Sequence, residues 1–252
     1  MTSRFTKLGI KQTIQLSWMD RVLKMVLAGA TEQEIRADLH EFLSTQKQSG
    51  GVGERGKVSY AMAISILACW FAPSSELIAF RDRLLEEAKT RPQKDWVVLH
   101  WAIMSASYPF WFSVARQVGR LFNLQDQITQ PQIFNRLKEQ YGDRETVARN
   151  ARYAVRSMVA WGAIEDTDVK GRYQACKKPV ELDLPLTALL IESALHTIPD
   201  GKSTLSNILA EPALFYFKLY PLSTAQLTDL SETIQVSRYG MGDDYLTLNP
   251  IH

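Results

Sequence analysis

Four arginines, Arg144, Arg149, Arg152 and Arg156, follow one another at spacings of five, three and four residues. The last three recur at the period of a helix and so share one helical face. A guanidinium offers a planar fork of N–H donors that pairs bidentately with a phosphate or with the major-groove edge of guanine. Asn150 and Tyr153 stand beside them, Arg144 precedes them at the helix start, and Lys170 and Arg172 follow at a turn. The competing reading is a solvated helix face or a protein-docking surface. Glu145 lies within the stripe, one helical turn before Arg149, where it can pair with it.

Other chemistry has less support. Gly51-Val-Gly-Glu-Arg-Gly56-Lys57 fits seven positions of a phosphate-binding P-loop, but Val58 stands where a Ser or Thr holds magnesium, and no hydrophobic strand precedes it. The four histidines, His40, His100, His196 and His252, have no ligand-spaced partners. His100, in an apolar segment, reads as a core histidine. Cys69 and Cys176 stand alone, so neither a zinc site nor a disulfide framework is indicated. Asp168-Val-Lys170 matches half of a nuclease pattern, without the preceding Pro-Asp. No Gly-x-Ser-x-Gly element occurs. No catalytic residue, metal or cofactor is expected, and the chain reads as a non-enzyme.

The arginine stripe needs a helix to carry it. Asp143 is read as capping a helix that runs to about Ala160, with Val147, Ala151, Ala154, Met158 and Trp161 on the face opposite the arginines. Before it, Pro109 opens a helix through Phe122, Asn123 to Gln127 form a turn, and Thr129 with Gln132 form a capping box for a helix ending at Gly142. After it, Gly162 ends the long helix. Ala163–Glu165 and Arg172–Ala175 read as a hairpin closed by a turn at 166–171, where Gly171 supplies a positive φ.

Helix, helix, long helix and hairpin in about 65 residues resemble the winged helix-turn-helix superfamily. The resemblance implies that the long helix enters the major groove and that the hairpin, the wing, touches the DNA backbone or minor groove. Arg149, Arg152 and Arg156 would then face the groove, Asn150 and Tyr153 would reach base edges, and Arg144, Lys170 and Arg172 would bind phosphate. The segments His100–Phe110 and Arg144–Gly162 are also weakly similar to BrxA-like accessory proteins of BREX-type phage-defence systems. That similarity implies a non-enzymatic role beside methyltransferases and ATPases in a bacterial cytoplasm.

The rest of the chain frames this module. The expected architecture is mainly α, with a helical N-terminal domain at 1–95, the winged helix-turn-helix at 96–178 and an acidic, winged-helix-like α+β domain at 179–252. Net charge is +2, but residues 101–178 carry 12 Lys/Arg against 7 Asp/Glu and residues 179–252 carry 3 against 9. A basic middle suits double-stranded DNA, and the acidic end reads as an interaction domain for a protein partner or a second copy of the chain. Composition is that of a soluble globular protein, and the polar, basic start shows no signal peptide. Residues 96–115 carry no formal charge over a length that can span a bilayer, but Tyr108-Pro109 breaks the run, so a buried helix followed by a second helix is expected.

Overall fold

The computed structural model describes residues 4–46, 57–238 and 244–249. It is mainly helical, with small sheets. In the first third, α1 (Leu16–Leu27) and α2 (Glu32–Ser44) form a pair, joined through Gly29 at φ +79°. Thr31 caps α2 in a reciprocal box with Glu34, as the sequence predicts. Then come α3 (Lys57–Leu67), a 3-10 turn at Ser75–Leu77 and α4 (Ile78–Thr90). The P-loop-like string at 51–56 lies outside the described residues.

The chain is assembled around α5 (Trp96–Ser107), in which every residue from Trp96 to Ala106 is buried. That explains a composition apolar on all sides rather than striped. At Tyr108 the chain turns by 116° into α6 (Pro109–Phe122). Pro109 sits at the first turn of α6, where its missing N–H leaves no bond unmade. No single described helix is long and apolar enough to cross a membrane.

After α6 come β1 (Gln127–Thr129), α7 (Gln130–Tyr141), α8 (Glu145–Ala160), β2 (Ile164–Asp166) and β3 (Arg172–Ala175). The three strands form an antiparallel sheet in the order β1-β3-β2. β1 falls where the sequence suggested only the end of a turn. The cap of α8 also differs from expectation. Arg144, not Asp143, is the N-cap, and the Asp143 carboxylate pairs instead with Lys138 at 2.9 Å.

The last third holds β4 (Val180–Glu181), α9 (Leu184–Leu195), β5 (Lys202–Thr204), α10 (Leu205–Leu209), a 3-10 turn at Pro212–Leu214, β6 (Phe217–Lys218), α11 (Thr224–Leu230), β7 (Ile234–Arg238) and β8 (Asp244–Leu248). β4 and β6 make a short parallel pair, while β5, β8 and β7 form an antiparallel sheet in the order β5-β8-β7. The strand expected at Phe215–Leu219 is only two residues long, because Phe215 still has helical backbone as the C-cap of the 3-10 turn before it.

Packing is continuous across both expected domain boundaries. α5 packs on α4 and α1 from the first third and on α9 from the last. Trp101 of α5 makes edge-on or tilted ring contacts with Trp111, with Trp161 just past α8, and with Phe215, Tyr216 and Phe217, at centroid distances of 5.4 to 6.2 Å. Aromatic side chains bury the largest areas and hold such junctions most strongly. One hydrophobic core joins all three stretches.

Candidate nucleic-acid interface

α8 is held from behind and left open in front. Val147, Ala151, Ala154, Val155 and Met158 are buried. Ser157 is also buried, and its Oγ accepts the backbone N–H of Ile14 at 2.8 Å while donating to the Tyr153 carbonyl at 2.8 Å. Trp161 donates its indole N–H to the Ile14 carbonyl at 2.9 Å. The N-terminal segment therefore braces α8 along its buried side.

The outward side carries the basic residues, though not all in one role. Arg149 is exposed, with only a loose contact to Glu145 at 4.0 Å. Arg152 is exposed and makes no ion pair among the described residues. Arg144, at the N-cap, is exposed and donates to the Tyr141 carbonyl at 3.1 Å. Arg156 differs. Its Nη1 donates to both carboxylate oxygens of Asp166 on β2, at 2.6 and 2.8 Å, and this partner raises the guanidinium pKa above its ordinary value.

Tyr153 is half-buried against the core. Asn150, expected at the groove-facing surface, is only 7% exposed. It sits three residues after Val147 and four before Ala154, which places it on the buried stripe. The structure thus leaves Arg149 and Arg152 exposed along α8 and Arg144 exposed at its start, with Asn150 behind them.

The hairpin supplies the remaining charges. Lys170 is exposed in its turn, and Arg172 is exposed at the start of β3, within 3.5 Å of Gln127 Oε1. The turn is ordered by its own bonds, Thr167 N–H to the Arg172 carbonyl at 3.1 Å and Arg172 N–H to the Val169 carbonyl at 3.0 Å. Gly171 adopts φ +77°, and its carbonyl accepts the Gln130 N–H at 2.8 Å, tying the turn to the start of α7. Val169 stands 52% exposed at the tip. Asp166, Tyr173 and Gln130 belong to this site although the sequence did not single them out. Their roles depend on which residues face each other across the hairpin.

Among the described residues, no group of His, Cys, Asp and Glu could hold a metal ion. Cys69 is buried, and burial pushes its thiol well up, away from the reactive thiolate. His100 is buried between Trp70, whose indole N–H it accepts at Nδ1, and Asp20, which faces Nε2, both at 3.0 Å. No protein-family model matches the chain, and no curated protein or solved structure shows significant similarity to it.

Proposed function

We propose that the chain is a non-enzymatic double-stranded-DNA-binding protein and that residues 109–175 form a winged helix-turn-helix. In this reading α8 is the recognition helix. Arg149 and Arg152 enter the major groove and meet phosphates along it, and Arg144, Lys170 and Arg172 meet further backbone phosphates. The element order of helix, strand, two helices and hairpin supports this, with β3 between β1 and β2. The observation that carries the reading is the exposure of Arg149 and Arg152 on the open face of α8, where neither is held in a tight ion pair. An unpaired arginine loses less on meeting a phosphate or a guanine edge than one that must first leave a carboxylate. The resemblance to BrxA-like proteins adds a setting, an accessory subunit that brings a bacterial phage-defence complex to DNA.

A second reading, a scaffold that docks proteins, draws on residues 184–248. There a similar element order recurs on an acidic stretch, with a 3-10 turn and β6 inserted between α10 and α11, and β8 lies between β5 and β7 as β3 lies between β1 and β2. Acidic charge disfavours phosphate contact and suits a basic protein surface. The two readings divide on an Arg149→Ala/Arg152→Ala variant titrated against labelled duplex DNA. Groove contact predicts at least a tenfold loss of affinity with unchanged folding. Equal binding by variant and wild type, with retention of partner proteins, favours the scaffold.

A further inference from the structure

We infer that Arg156, although part of the arginine stripe, is a positioning residue that fixes the angle of the hairpin to α8, and that Asp166 is its counterpart. The inference rests on the DNA-binding reading for its functional consequence, but its geometry stands apart from it. Arg156 lies at the C-terminal end of α8, and Asp166 is the last residue of β2. Asp166 is aligned directly across the ladder with Tyr173 of β3. Tyr173 is 2% exposed, and its hydroxyl reaches Gln130 Oε1 at 3.3 Å, beside the Gln130–Gly171 backbone bond. The turn end of the hairpin is thus gripped from two sides, by α8 through Arg156–Asp166 and by α7 through Gln130.

Two features separate Arg156 from its neighbours. Its side chain is committed to a carboxylate by two short contacts, whereas Arg152 has no ion pair among the described residues. Asp166 would otherwise add an uncompensated negative charge to a hairpin that already carries Glu165 and Asp168, against only Lys170 and Arg172. Arg156 cancels that charge where the hairpin would approach phosphates. Both partners are more than a third exposed, so the pair contributes little to global stability, and its value lies in local geometry.

The test compares Arg156→Ala, Asp166→Ala and Arg152→Ala by amide hydrogen exchange of the free protein and by duplex-DNA titration across salt. The strut predicts that Arg156→Ala and Asp166→Ala both speed exchange at Thr167 and Arg172 at least fivefold, while Tm moves by less than about 4 °C. Both weaken DNA binding about tenfold without changing the salt slope. Arg152→Ala does the reverse, leaving exchange untouched and reducing the slope by about 0.9. Asp166→Ala is the sharpest arm, because removing a carboxylate near DNA tightens binding on electrostatics alone. Tighter binding by Asp166→Ala, or a slope loss in Arg156→Ala matching that of Arg152→Ala, overturns the inference. If wild type shows no salt-dependent binding, the DNA reading fails, and the exchange rates alone then decide whether the strut exists.

Discussion

Gly119 of α6 lies so close to the backbone of Pro212 that a β-carbon placed on it would stand 1.9 Å from the Pro212 carbonyl oxygen. The helix of the central module and the turn before β6 meet here without a side chain between them. Alongside, Arg116 holds Glu211 through two contacts, at 2.8 and 2.9 Å. The last third is therefore docked on α6 by backbone contact and a bidentate ion pair.

Gly119→Ala is the direct test of that docking. The obstructing atoms are backbone and cannot rotate away, so the cost falls at or above the upper end of the usual overpacking range, about 3 kcal/mol. For a chain of this size that lowers Tm by about 6–12 °C in a thermal melt. An unchanged Tm would mean that the 211–217 segment does not seat on α6 as described.

The buried histidines give stability a defined pH dependence. Burial lowers the His100 pKa despite the opposing Asp20 carboxylate. His196 is pushed down to about 3, first by burial and then by the nearby Arg4 and Arg83 charges. Its neighbour Glu192, at 3.6 Å, is already engaged by Arg83 and Thr233. An unfolded histidine accepts its proton near pH 6.5, whereas these folded ones resist it, so their stabilisation is complete above about 6.5 and is lost as pH falls below it, for His196 down to about 3. At Asp20, burial acts to raise the carboxyl, but hydrogen bonds from His100 and Gln93 outweigh it, so that contribution is lost only in stronger acid. Denaturant melts at pH 7 and 4.5 should show wild type losing about 1–3 kcal/mol more than His196→Gln over that interval. Parallel losses in the two proteins would remove His196 from the acid response.

Ser157→Ala tests the brace behind α8. The variant leaves the buried Ile14 N–H without its acceptor. An orphaned buried donor costs about 1–3 kcal/mol. Hydrogen exchange at Ile14 should accelerate and the melt should shift down, with DNA affinity falling less than in the Arg149/Arg152 variant. Unaltered exchange at Ile14 would show that the N-terminal segment is held by other contacts.

What the sequence made legible was local. Thr31 with Glu34 and Thr129 with Gln132 mark helix starts because the chemistry of a capping box is contained in four residues. Gly162 and Gly171 mark turns because both need a positive φ. The burial of Asn150 was also readable from its offsets to Val147 and Ala154, but its polarity suggested a surface role. β1 was not legible, since three residues become a strand only when β3 lies beside them. The commitment of Arg156 was hidden for a similar reason. Ten residues separate it from Asp166, and only the hairpin register brings them together. The joining of 1–95, 96–178 and 179–252 in one core rests on contacts as distant as Trp101 with Phe217, which no periodicity reveals.

The central claim is that the open face of α8 and the hairpin meet phosphates, and the salt dependence of duplex-DNA binding by the wild-type chain tests it most directly. Contacts from Arg144, Arg149, Arg152, Lys170 and Arg172 would release about five counterions' worth of charge, giving a slope of log affinity against log salt of about −4 to −5. Affinity should then fall a few hundred-fold between about 50 and 200 mM salt. A slope near zero, or one left unchanged by Arg149→Ala/Arg152→Ala, would contradict the account.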